Sequence, residues 1–153
     1  MKLFTIRKKL EVSYKFEDGD ELISWFRKAM IKYPDNIDLI YWMQDALSFF
    51  NHDAEFMLRE PKVLEACTKI IQDKAKKNSL EAAKSYAYRG EMKMHRIDRQ
   101  KDFDRALEIL KLSEESFPQK EVKYLRGFIG EVYSQLIRKM ISFRVNPQDM
   151  FVN

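Results

Sequence analysis

The chain has 153 residues, of which 45% are hydrophobic and 34% charged, so it is long enough to bury the core of one domain. A net charge of +4 permits acidic partners without requiring them, and four glycines with four prolines are too few for the many turns of an all-β fold. The single cysteine, Cys67, rules out an intrachain disulfide and favours a reducing, cytoplasmic location, and no apolar run approaches the ~18 residues of a membrane span.

The first seventeen residues differ in pattern from the rest of the chain. They carry charges from Lys2 onward and lack the apolar core of a secretory signal. Between Leu10 and Phe16, apolar and polar residues alternate with a period of two, which is typical of a strand or an extended arm. A frayed first helix is the alternative, so the sequence leaves residues 1–17 as either a short extended arm or a helix.

Two helices are predicted next. Asp18 and Glu21 have the spacing of a capping box, and apolar residues at helical spacing then continue to Pro34, which should end the first helix. Asp35 is expected to cap a second helix, whose apolar stripe runs over residues 39–50.

A third helix is predicted after a break at residues 51–53. Pro61 suits its first turn, because proline has no backbone N–H and the first turn of a helix does not need one. Cys67 falls on the apolar stripe of this helix and is expected to be an inert core thiol. The polar residues 74–78 should form a turn.

The most informative stretch is 79–118, which is predicted to be a helical hairpin. Ser79 is expected to cap its first helix, whose stripe contains the small residues Ala83, Ala87 and Gly90 and continues to Ile97. Small side chains let a neighbouring helix approach closely, so we expect Gly90 and Ala87 to face the second helix of the hairpin. Pro118 should end that second helix.

After Pro118 the last helix is strongly apolar over residues 122–143, and its stripe is wider than one face, which predicts packing on two sides. Residues 145–153 are expected to be a non-helical tail. We therefore predict a single all-α domain over 1–153, with five to six helices in antiparallel hairpins, arranged either like a helical repeat or as an irregular bundle.

The end of the hairpin resembles the second helix of a tetratricopeptide repeat. Counting back from Pro118, the aromatic, small, large and small residues of that repeat are found at Phe117, Ser113, Leu110 and Ala106. A partial second copy precedes Pro34, with Tyr33, Ala29 and Phe26 in place and Leu22 where a small residue is expected. Lys93 stands where the repeat has leucine, and the two prolines are not a multiple of ~34 residues apart. The resemblance implies a concave peptide-binding groove and no chemistry of its own.

The predicted partner-binding site is an aromatic and basic ridge on the first hairpin helix. It consists of Tyr86, Arg89, Lys93 and Arg96, which step by three and four residues away from the small-residue stripe. We call these four residues the basic ridge. Arginine binds carboxylate and phosphate groups through two parallel hydrogen bonds, so the ridge would suit an acidic protein or peptide. The alternative interpretation is an ordinary solvated helix face.

Nucleic-acid binding is the runner-up function. Basic residues recur through the C-terminal half, at Lys74, Lys76, Lys77, Arg96, Arg99, Lys101, Lys120, Lys123, Arg126, Arg138 and Lys139. Acidic residues are interleaved with them almost everywhere, and no recognition-helix or RNA-binding signature is present.

A third interpretation rests on Arg89 and His95. Their spacing resembles the loose Arg…His signature of helical HEPN ribonucleases, which would imply proton transfer and phosphate stabilisation by this pair. The polar residue that usually follows the arginine is replaced by Gly90. Glu91 and His95 also share a helix face, but two ligands do not make a metal site.

The sequence thus favours a non-enzymatic adaptor or regulatory protein that binds a protein or peptide, with no catalytic, cofactor or metal site and no membrane partner. If the basic ridge does not bind the partner, the arm over 10–16 and the aromatic-rich segment over 41–50 are the next candidates. Oligomeric state is not indicated by the sequence.

Overall fold

The computed structural model describes residues 19–49, 53–92 and 96–143, and over these ranges the chain forms six α-helices and no strand. The helices are α1 (Gly19–Lys32), α2 (Ile37–Phe49), α3 (Asp53–Gln72), α4 (Leu80–Met92), α5 (Arg96–Leu112) and α6 (Gln119–Phe143). The prediction of an all-α fold is confirmed. The predicted arm over 1–17 and the predicted tail over 145–153 lie outside the described residues. None of the helices, as far as they are described, combines the length and apolar character needed to cross a membrane.

The chain divides into two units, Met1–Val63 and Leu64–Asn153, and the boundary falls within α3. In the first unit α1 packs against α2. Fully buried side chains from both helices, including Leu22, Phe26, Leu39 and Met43, form the contact. The prediction of one domain over the whole chain stays a prediction.

The start of α2 differs from the expectation. The side chain of Asn36, not Asp35, accepts a hydrogen bond from the backbone N–H of Leu39 at 3.1 Å, so Asn36 is the N-cap. Asp35 instead belongs to the turn that follows Pro34. Aspartate and asparagine cap helices about equally well, so the residue types alone could not decide between neighbouring positions.

The start of α3 also differs, because the helix begins at Asp53 and contains Pro61 in its interior. The proline is exposed, so its ring lies at the surface of the helix. A proline inside a helix removes one backbone hydrogen bond, because proline has no N–H to donate. The first-turn assignment of Pro61 was therefore wrong.

The polar turn between α3 and α4 is confirmed. It begins with a 3-10 helix at Lys74–Lys76, capped by Asp73, and ends at Asn78, whose φ of 62° lies in the left-handed region that asparagine tolerates. The Ser79 hydroxyl accepts a hydrogen bond from the Ala82 N–H at 3.1 Å, which confirms Ser79 as the N-cap of α4.

The core of the second unit lies between α4, α5 and α6. Helix α4 supplies mainly small residues, and the other two helices supply larger ones. The buried members are Ala82, Ala83, Ala87, Phe103, Ala106, Ile109, Leu110, Val122, Leu125 and Ile129. Eight of the thirteen residues of α4 are buried, so α4 is the central helix of this unit.

Candidate partner-binding surface

The two helices of the hairpin pack closely at Gly90. A Cβ atom placed on this glycine would lie 2.9 Å from Cε1 of Phe103 and 3.1 Å from the Cβ atom of Asp102. Both distances are shorter than an ordinary carbon–carbon contact, so α5 approaches α4 as closely as a glycine allows. Ala87 is fully buried in the same interface region. The prediction that Gly90 and Ala87 face another helix is confirmed.

The Arg89 side chain is paired with Asp102 of α5. Its Nε atom donates to Oδ2 of Asp102 at 2.9 Å, and its Nη2 atom donates to Oδ1 at 2.8 Å. The Asp102 side chain is only 5% exposed and that of Arg89 is 19% exposed, so the pair is largely removed from water. The hydrogen bonds to Asp102 raise the pKa of Arg89 above its ordinary value. Two parallel charge-assisted hydrogen bonds fix both distance and orientation, so this pair joins α4 to α5.

Tyr86 lies beside the same pair. The guanidinium carbon of Arg89 is 5.5 Å from the centre of the Tyr86 ring, which places a cation within reach of an aromatic π-system. Tyr86 is partly exposed and packs against the core cluster of the second unit. Of the basic ridge, Tyr86 and Arg89 are therefore in contact, and both take part in packing.

The basic ridge does not form one helix face. Helix α4 ends at Met92 and Arg96 is the first residue of α5, so the helix that was expected to continue to Ile97 ends earlier. The side chain of Arg96, and Lys93 as a whole, lie outside the described residues. Arg89 does not lie on an ordinary solvated face, because its charge is balanced by a buried carboxylate.

Arg99 of α5 forms hydrogen bonds with the C-terminal end of α4. Its Nε atom donates to the carbonyl oxygen of Gly90, and its Nη2 atom donates to that of Glu91, each at 3.0 Å. These carbonyls are in the last turn of α4 and have no partner within the helix. The guanidinium group from α5 thus satisfies the end of α4 and holds the two helix ends together.

Cys67 on α3 lies close enough to Arg89 and Asp102 to interact electrostatically with both charges. The thiol is fully buried and free. Burial raises its pKa from 9.0 to about 12; the positive charge of Arg89 lowers the pKa and the negative charge of Asp102 raises it by smaller amounts. The predicted burial of this thiol is confirmed, and its inertness stays a prediction. Helix α3 therefore comes near the point where α4 and α5 are joined.

On its other side α4 is joined to α6 by longer side chains. Lys84 Nζ lies 2.8 Å from Oε2 of Glu121, and the two side chains are 6% and 17% exposed. The hydroxyl groups of Tyr88 and Tyr124 are 3.1 Å apart, and the fully buried Tyr88 ring meets Phe128 edge-on. Each buried polar group in this contact has a partner, as stability requires.

Several of the basic residues proposed for nucleic-acid binding hold local structure. Lys76 pairs with Glu81 at 3.2 Å, and Arg126 pairs with Glu114 at 3.0 Å. Arg99 caps α4, as described above. The exposed lysines in the set are Lys74, Lys77, Lys101, Lys120 and Lys123, and the side chains of Arg96, Arg138 and Lys139 lie outside the described residues.

The structure describes only one residue of the HEPN-like pair. Arg89 is bound to Asp102, and His95 lies outside the described residues, as does His52. Among the side chains that are described, no group of three or more His, Cys, Asp and Glu residues is arranged to hold a metal ion. Tyr41 and Trp42, from the aromatic-rich segment over 41–50, are buried in the first unit and are therefore core residues.

Sequence reasoning missed Asp102, the partner of Arg89. A signal was available, because the midpoint between positions 89 and 102 falls at the link between α4 and α5. Residues equidistant from such a link face each other in an antiparallel hairpin. No comparable signal exists for Lys84 and Glu121, which are far apart in the chain.

Comparisons of this chain with protein-family models, with curated protein sequences and with solved structures return no match.

Proposed function

We propose that this chain is a non-enzymatic helical adaptor or regulatory protein that binds an acidic protein or peptide. The observation that carries the proposal is the Arg89–Asp102 pair. Arg89 is the residue that a phosphate-stabilising or ribonuclease role would need, and two of its N–H groups are bound to a buried carboxylate. A guanidinium whose charge is already balanced gives little further stabilisation to a second anion. Arg89, the strongest candidate for a catalytic residue, thus stabilises the contact between α4 and α5, and we propose that exposed residues bind the partner.

A tetratricopeptide-like hairpin is part of the same proposal. Ala106 and Leu110 are fully buried, and Phe117 packs against the core, as the residue types of that repeat would require. The close contact at Gly90 gives α4 and α5 the intimate packing of a repeat hairpin. A rigid hairpin of this kind is suited to presenting a binding surface. The free, buried Cys67 suits the reducing cytoplasm.

Within the basic ridge, we propose that Tyr86, Lys93 and Arg96 contact the partner and that Arg89 holds Tyr86 in place. Charge reversal at Arg89 would disturb folding, so it is unsuitable as a test of binding. Arg96→Glu and Lys93→Glu are the informative variants. Lys111→Glu is a matched control, because Lys111 is exposed on α5 and the change in charge is the same.

The test is affinity capture with the whole chain as bait, with and without nuclease treatment. We expect capture of a protein that is still bound after nuclease treatment. The amount captured should be unchanged with the Lys111→Glu bait and lower with the Arg96→Glu bait. Purified partner and bait should then bind less tightly at higher salt, because exposed charges are screened.

Two outcomes would overturn the proposal. Capture that disappears after nuclease treatment would favour nucleic-acid binding, for which the exposed Lys74, Lys77 and Lys101 are the available contacts. Metal-independent RNA cleavage that is lost in a folded His95→Ala variant would favour the ribonuclease interpretation.

A further inference from the structure

We draw no further inference here: the strongest candidate, the outward face of α6 at Gly127 and Gly130, where nothing lies within 4 Å of a Cβ atom placed on either glycine, carries no proposal because nothing in the described part of the chain shows what covers it.

Discussion

Glycine occurs in two helices of the second unit, and its surroundings there are opposite. In α4 a Cβ atom on Gly90 would be 2.9 Å from the Phe103 ring, whereas in α6 nothing lies within 4 Å of the corresponding position on Gly127 or Gly130. Each glycine costs a helix roughly 1 kcal/mol relative to alanine. At Gly90 this cost is offset by close packing of α5, and on the outward face of α6 no described contact offsets it. The residue type alone does not reveal which case applies.

Cys67 is buried in the second unit, like Gly90, and its rate of alkylation should show the largest effect of this close packing. Because its pKa is raised to about 12 by burial, the thiol is protonated in the folded chain at about pH 8. Only the thiolate reacts with iodoacetamide, so alkylation should be roughly a thousandfold slower in the folded chain than in the chain unfolded by urea.

The same pKa shift predicts how stability depends on pH. The folded-state pKa lies above the ordinary value of 9.0, so this contribution to stability is complete below pH 9 and is lost as the pH rises towards 12. Alkylation of the native chain at the rate of the unfolded chain would show that Cys67 is not buried in the folded protein.

Charge reversal at Arg89 should be the most damaging substitution in the hairpin. Arg89→Glu places a second carboxylate beside the buried Asp102 and leaves that residue without its partner. Breaking a buried ion pair in this way costs about 3 kcal/mol or more of the free energy of unfolding. Lys111→Glu, an exposed charge reversal on α5, should change it by less than about 0.5 kcal/mol. Urea denaturation of both variants measures the difference.

Substitution by leucine should distinguish the tightly packed Gly90 from the open position at Gly127. Gly90→Leu should overpack the contact with Phe103 and lower the free energy of unfolding by about 1–3 kcal/mol. Gly127→Leu has open space and should leave stability unchanged or raise it. Equal thermal stability of the two variants would mean that α5 does not approach Gly90 as closely as described.

The smallest effect is expected on the open face of α6. Gly130→Ala should increase the free energy of unfolding by about 0.5–1 kcal/mol, because alanine has the higher helix propensity and its methyl group meets nothing within 4 Å. A decrease measured by chemical denaturation would show that this face is covered in the folded protein.

The parts of the fold that follow from neighbouring residues could be predicted from the sequence. The cap at Ser79 and the polar turn before it each depend on residues within one turn of the chain. The end of α5 does not, because the helix stops at Leu112, six residues before Pro118, which was expected to end it. The small stripe around Gly90 indicated a close helix contact, because few other needs favour glycine in a helix interior.

The parts that depend on distant partners could not be predicted. Lysine is a residue type that is usually exposed, yet Lys84 is buried, and Glu121 of α6 balances its charge. The sequence pattern of Arg89 predicted a binding residue, because the pattern of one helix does not show a partner, Asp102, that lies on another helix.

The central claim is that Arg89 belongs to the fold of the hairpin rather than to a ligand site. A double-mutant cycle with Arg89→Ala, Asp102→Ala and the combined variant tests it most directly, with the free energy of unfolding as the readout. Two short hydrogen bonds, at 2.8 and 2.9 Å, predict a coupling energy of about 2 kcal/mol or more. A coupling below about 0.5 kcal/mol, with both single variants folded, would contradict the account and return Arg89 to the candidates for binding.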